Sequence, residues 1–306
     1  MACLCHVAAM ARILIVKLGA LGDVVLAFGP FAAIRAHHPR DHIALLTTAP
    51  FAPLGRAAPW FDEVLIDARP RWWNLPGIAA LRSQLRGWNL VYDLQTSGRS
   101  SRYFRLAGRP TWSGIAPGCS LPHHDAGRDA LHTVERQRGQ LRDAGVTRFP
   151  EPDLRFLTRG GPRLSEPYAL LVPGAAPHRP AKRWPVPHFG ELARRLHGTG
   201  LRPVVAGTAG ERPLAEAICA ACPQTLDLTG KTSLLDLGGL AARAALAVGN
   251  DTGPMHLAAT VGCPSVVLFS RNSDPALTAP RGTRVTVLRE NDLADLSVER
   301  VAAALP

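Results

Sequence analysis

A chain of 306 residues, 46% hydrophobic and 19% charged, is long for one core and too apolar for a disordered chain, so two packed domains are expected. No apolar run reaches the roughly 18 residues needed to cross a bilayer, the longest being Val24 to Ile34 and Ala241 to Val248. The formal charge of +11 and pI of about 10.2 imply attraction to something anionic: a phosphate-bearing substrate, a membrane surface or nucleic acid.

Met1 to Met10 is apolar without a basic n-region, so it does not read as a secretion signal, and Met10 is a second candidate start. A strand is predicted at Ile13 to Val16, followed by the turn Lys17-Leu-Gly-Ala-Leu-Gly-Asp23, where Gly19 and Gly22 allow a tight bend. Asp23 then stands at a helix start, where a carboxylate caps the helix or acts as a general base. Gly19-x-x-Gly22 lacks the G-x-G-x-x-G spacing that brings amides against a pyrophosphate, which disfavours a nicotinamide-dependent oxidoreductase. Further strands are expected at Ile43 to Leu46, Val64 to Ile66 and Leu90 to Leu94, each followed by a longer patterned stretch, the rhythm of a parallel βαβ sheet.

Between Arg69 and Arg109 stand eight arginines (69, 71, 82, 86, 99, 102, 105, 109) against one acid, Asp93, with Trp72, Trp73, Trp88 and Tyr103 interleaved. This is a candidate anion-binding face. The stretch Ala116 to Arg128 matches no assignable pattern, and Pro, Gly and Arg at Thr158 to Pro167 interrupt the rhythm. A domain over 10–160 and a second over 165–290 are therefore predicted, with a tail over 291–306.

The second half repeats the alternation: strands Tyr168 to Val172, Pro203 to Ala206, Thr225 to Leu228, Ala245 to Val248 and Ser265 to Phe269, with helices near Pro187 to Leu196 and Glu211 to Ala221 and a Ser233-x-x-Asp236 capping box. Ligands of such sheets bind beyond the carboxyl ends of the strands, so the turns there carry the chemistry. Pro173 to Pro185 is one such turn and contains Lys182, one of only three lysines among 35 basic residues. Ala206-Gly-Thr-Ala-Gly-Glu211 is another; its carboxylate could accept ribose hydroxyls or cap the helix. Gly249-Asn-Asp-Thr-Gly-Pro-Met-His256 lies between a buried-type strand and a small-residue helix, the geometry of an anion site at a helix N-terminus. There Thr252 can donate its hydroxyl, Gly253 permits close approach, His256 can face a phosphate oxygen, and Asp251 is expected to organise the loop by accepting amides.

Gly230-Lys231-Thr232 has a P-loop ending, but Thr225 stands where the first glycine belongs, so ATP hydrolysis has no support. Cys219-x-x-Cys222 has no second ligand pair for zinc, and six scattered cysteines fit a reducing cytoplasm. No metal and no cofactor are predicted.

Arg12-Ile-Leu-Ile-Val-Lys-Leu-Gly-Ala-Leu-Gly-Asp23, Gly174 through Lys182-Arg-Trp-Pro185, Gly207 through Glu211 and Asp251-Thr-Gly-Pro-Met-His-Leu-Ala258 resemble, in order and spacing, the family of the ADP-heptose:lipopolysaccharide heptosyltransferases. The resemblance covers nearly the whole chain. It implies an α/β GT-B fold, two Rossmann-like doubly wound domains facing across a cleft, with a C-terminal helix, Val298 to Leu305, returning to the first domain. It also implies an inverting, metal-independent transfer of heptose from ADP-heptose to the inner core of lipopolysaccharide, Kdo or heptose on lipid A. By the same resemblance Asp23 is the catalytic base. Lys182, Asp251, Thr252, Gly253 and His256 hold the diphosphate, Glu211 takes the ribose, and Thr232 lies near the base. The anionic acceptor would meet Arg69, Arg71, Arg99, Arg102 and Arg128, and the protein would act in the cytoplasm at the inner membrane surface.

Alternatives are a same-fold transferase using another nucleotide sugar, a non-catalytic module, and a basic protein binding nucleic acid. The two-sheet rhythm argues against the last, and nucleic acid is not an expected partner.

Overall fold

The computed structural model describes residues 10–176 and 178–306, so the readings made of residues 1–9 lie outside the described residues. Two six-stranded sheets organise the chain, and every strand pair in them is parallel. The first contains β1 (Arg12–Val16), β2 (His42–Thr47), β3 (Glu63–Ile66), β4 (Leu90–Asp93), β5 (Thr111–Gly114) and β6 (Leu121–Pro122). The second contains β7 (Tyr168–Val172), β8 (Arg202–Val205), β9 (Leu226–Asp227), β10 (Leu246–Asn250), β11 (Ser265–Phe269) and β12 (Val285–Arg289).

The order β3-β2-β1-β4-β5-β6 is that of a doubly wound sheet, and the second sheet, read β9-β8-β7-β10-β11-β12, repeats it. Central strands are covered on both faces, which is why β1, β7, β10 and β11 are near-continuous apolar runs instead of alternating ones. The order reverses between β1 and β4 and again between β7 and β10. A crevice opens at the carboxyl ends of the strands at each such point.

By contacts the chain divides into two units. The first holds 10–19, 27–129 and 134–152, with a core including Leu14, Trp88, Val91, Tyr103, Phe104 and Trp112. The second holds 20–26, 130–133 and 153–306. In its core, the helix Val186–Gly198 buries Phe189, Leu192 and Leu196 at helical spacing against β7 and β8 side chains such as Leu171 and Val205. Each such side chain contributes about 1.5–3 kcal/mol of burial.

One expectation is corrected here. The C-terminal helix, Val298–Ala303, belongs to the second unit: Val298 and Val301 lie in that core, and the indole N–H of Trp184 donates to Leu296 O at 2.8 Å. Two valines one helical turn apart take whichever apolar surface lies nearest, and here that is the face of the helix Val186–Gly198. The Pro, Gly and Arg stretch at 158–167, where the boundary between the predicted domains was placed, lies within the second unit and is tied to it. The Arg243 guanidinium bonds the carbonyls of Thr158, Gly160, Gly161 and Pro162, and Asp236 accepts the Gly161 amide at 2.8 Å. Gly161 and, on the helix Leu234–Arg243, Gly239 are both needed, because a Cβ at Gly161 would stand 2.4 Å from Asp236 O and one at Gly239 only 1.9 Å from Gly160 O.

Candidate active site

The second unit's crevice opens where β7 and β10 end. A cavity of about 380 Å³ there is lined by Asp23, Lys182, Asp251, Thr252, Gly253 and His256, together with Ala20, Gly22, Leu26, Ala176, His178, Arg179 and Thr278. Six of the residues singled out from the sequence thus share one cavity.

Lys182 sits on a short 3-10 turn, Pro180–Lys182, in the long loop after β7. Its ammonium pairs with the Asp251 carboxylate at 2.5 Å, with the side chains only 11% and 7% exposed. The expected role of Asp251, accepting loop amides, is therefore corrected: its carboxylate neutralises a buried cation, which would otherwise carry a desolvation penalty of several kcal/mol. What does organise the two loops is Asn250, the last residue of β10. Its amide Nδ2 donates to Pro173 O at 2.8 Å and Gly174 O at 3.2 Å, while its Oδ1 accepts the Trp184 amide at 2.9 Å. A fully buried carboxamide with donor and acceptor both satisfied fixes both ends of the Lys182 loop to the end of β10.

Thr252 caps the helix Gly253–Thr260 through its backbone carbonyl, which accepts the Met255 amide. Its hydroxyl, expected to face a ligand, instead donates to Asn250 O at 3.2 Å. Gly253 was expected to let a phosphate approach. The space it leaves is filled by Leu21, since a Cβ there would lie 2.5 Å from the Leu21 Cβ. Gly22 matches it from the other side: a Cβ at Gly22 would meet the His256 ring at 2.8 Å. The short helix Leu21–Val25 and the helix Gly253–Thr260 therefore interlock, each through a missing side chain.

Asp23 rides on that short helix. One carboxylate oxygen accepts the Ala20 amide at 3.1 Å, the capping geometry read from sequence, and the residue still lines the cavity. His256 is 5% exposed, and among the described residues its Nδ1 has no hydrogen-bond partner. Burial pushes its pKa down to about 4; the Asp251 and Asp23 carboxylates pull the other way, and His132 and Lys182 add to the fall. Its imidazole is neutral at pH 7 and can offer one N–H.

A family model, glycosyltransferase family 9 (heptosyltransferase), matches residues 78–303. The chain is 36% identical over 313 residues to lipopolysaccharide heptosyltransferase 2 of Salmonella typhimurium, covering 91% of this chain and 88% of that protein. The chain belongs to this family. With lipooligosaccharide heptosyltransferase 2 of Haemophilus influenzae the match is 38% identical over 128 residues, spanning 40% of this chain and 36% of that protein. The fold is shared with E. coli heptosyltransferase WaaC with ADP, at a TM-score of 0.81 and 23% identity over 95% of this chain and 98% of that one.

In this family 9 member the other expected donor residues lie apart from the cavity lining. The Glu211 carboxylate accepts the Thr208 amide at 2.7 Å and hydroxyl at 3.0 Å, closing the turn before the helix Arg212–Ala221. It also leans on the start of the Lys182 loop: a Cβ at Gly174 would stand 1.8 Å from Glu211 Oε1. Capping and a place beside the site are thus compatible. Thr232 is half-buried in the loop between β9 and the helix Leu234–Arg243.

The five expected acceptor arginines belong to the first unit. Arg99 turns its donors inward, to Tyr103 OH at 2.6 Å and Pro70 O at 2.9 Å, and with Arg102 lies against the Trp72 ring. Arg71 covers Trp73, and Arg69 holds φ +50 with its amide on Asp67. Arg128 donates to Thr96 Oγ1 at 2.8 Å; burial, and then the Arg136 cation, lower its pKa. Thr96 itself holds φ +43, a strained conformation for a β-branched residue. The exposed cations of this set are Arg69, Arg71 and Arg102.

Asn250, Arg179 and the Gly22–His256 interlock were missed from sequence. Asn250 and Arg179 stand inside stretches already quoted, but nothing in a one-dimensional pattern says which polar side chain closes a loop and which faces a cavity. Among the described residues no group of three or more His, Cys, Asp or Glu side chains is placed to hold a metal, and no helix is long and apolar enough to cross a membrane.

Proposed function

We propose that the chain is an inverting heptosyltransferase, moving heptose from ADP-heptose to a Kdo or heptose hydroxyl on the lipid A inner core at the cytoplasmic membrane surface. The observation that carries the reading is one cavity holding a carboxylate (Asp23), a cation (Lys182) and a neutral imidazole (His256) at the switch point of the second sheet.

Asp23 takes the proton of the acceptor hydroxyl as its oxygen bonds to the anomeric carbon, and the bond from that carbon to the diphosphate breaks on the opposite face. Configuration inverts and ADP departs. A positioned base contributes typically 10²–10⁴-fold. The diphosphate gathers charge as it leaves, and protein groups meet that charge in place of a metal: the Lys182 ammonium, the His256 N–H and the amides at Thr252 and Gly253, with Asp251 holding Lys182 in place. Glu211 takes the ribose hydroxyls, Thr232 lies near the base, and Arg69, Arg71, Arg99, Arg102 and Arg128 serve the anionic acceptor.

The test is Asp23→Ala. ADP should raise the thermal midpoint of variant and parent alike, while turnover with ADP-heptose falls by about 100-fold or more. Unchanged turnover removes Asp23 from the mechanism. A midpoint raised by UDP or GDP and not by ADP changes the donor.

A further inference from the structure

Among the described residues six large apolar side chains are exposed, and four of them stand within ten residues: Ile66 at 36%, Trp72 at 36%, Trp73 at 73% and Leu75 at 74%. Scattered single residues of this kind need no explanation, but a cluster does. Leu75 opens the helix Leu75–Leu85, which buries Leu81 and Leu85 and turns Leu75, Ala79 and Arg82 outward at spacings of four and three residues, with Arg86 exposed just beyond it. The segment from Trp72 to Arg86 thus carries an exposed tryptophan pair and leucine at one end and two exposed arginines at the other. Between Arg69 and Arg109 the one carboxylate, Asp93, is fully buried.

We propose that Trp73 and Leu75 enter the headgroup boundary of an anionic phospholipid bilayer while Arg82 and Arg86 lie against its headgroups. The proposal rests on the lipid-linked acceptor of the reading above for its purpose, and on charge complementarity for its partner. Tryptophan suits this boundary because its ring is apolar and its N–H stays hydrated. A short apolar insertion or a few cations alone bind weakly, and the two together give stable adhesion. The Arg71 guanidinium over the Trp73 ring keeps the charge beside the inserting group.

The test is co-sedimentation of the full chain with vesicles of phosphatidylcholine containing phosphatidylglycerol, and with vesicles of phosphatidylcholine alone. The parent should bind the anionic vesicles, with a blue shift of tryptophan emission that raised salt diminishes. Trp73→Ser with Leu75→Ser should lower partitioning roughly tenfold, and Arg82→Gln with Arg86→Gln by roughly fivefold per charge. Equal partitioning of either variant and the parent overturns the proposal, as does equal binding to both vesicle types. Stabilisation by ADP is followed in the same samples. ADP stabilisation without vesicle binding refutes the bilayer contact alone; vesicle binding without ADP stabilisation leaves the contact supported and refutes ADP-heptose as the donor.

Discussion

Gly22→Ala sets two opposed effects against each other within one residue of Asp23. Replacing glycine by alanine in a helix ordinarily stabilises by about 0.5–1 kcal/mol, because the unfolded chain loses freedom. Here the new methyl would stand 2.8 Å from His256 Cδ2 and 2.9 Å from Nε2, where carbon contacts prefer about 3.5–4.0 Å. Something must move by roughly 0.7 Å or more, and the ring is 5% exposed and packed, so overpacking of about 1–3 kcal/mol is expected. The sum is a net loss of about 0–2.5 kcal/mol. Catalysis should suffer more, since a displacement near 1 Å of a catalytic group costs on the order of 100-fold in rate. Gly29→Ala is the control: the same exchange in the helix Phe28–His37, with nothing within 4 Å of the added Cβ, should raise the midpoint and leave kcat alone. The assays are thermal melting and steady-state transfer, with kcat and KM separated. A Gly22→Ala protein that melts higher than the parent and turns over at the parental rate refutes the interlock as the device that positions Asp23.

Lys182→Ala should weaken ADP binding by roughly 10–100-fold, the loss of one charge-assisted bond. It should also destabilise the fold by about 3 kcal/mol, because Asp251 is left buried and unpaired. Adding Asp251→Asn should recover stability without recovering ADP affinity; recovery of both in a titration would mean Lys182 acts only through folding. For His256, whose pKa is pushed down to about 4 by burial, the unfolded chain binds the proton first as pH falls below 6.5. The neutral imidazole thus contributes stability that is full above 6.5 and is lost through the window down to about 4. Against His256→Gln, the parent should lose on the order of 3 kcal/mol across that window. Asp93, raised to about 6 by burial, works in the opposite sense, losing stability as pH rises from 3.8 through 6. Parallel pH-melting curves for the parent and His256→Gln would refute the buried neutral imidazole.

The strands read from the sequence were β1 to β4 and β7 to β11; in β1, β2, β4, β7, β8, β10 and β11 burial on both faces writes itself as an apolar run, while β3 and β9 are only partly buried. β5 and β6 escaped because Thr-Trp-Ser-Gly and Leu-Pro owe their strand state to pairing with a neighbour and not to pattern. β12 is an edge strand only partly buried, and its side chains carry a correspondingly weak signal. Asp23, Lys182 and the 251–256 turn, which line one cavity, were legible as candidates because they stand just beyond strand ends, and strand ends are local.

Residue type and position relative to a strand end are properties of a few consecutive amino acids, and the sequence by itself determined them here: the doubly wound class, the strand-end turns and the candidate base and cation. Partners are properties of separation across the chain. Lys182 meets Asp251 across 69 positions and Trp184 meets Asn250 across 66, while Gly22 meets the ring of His256 and the C-terminal valines join the core around Trp184. Tertiary packing decided those, because a buried charge, amide or methyl takes the complementary group that the fold brings to it, at whatever distance along the chain that group lies.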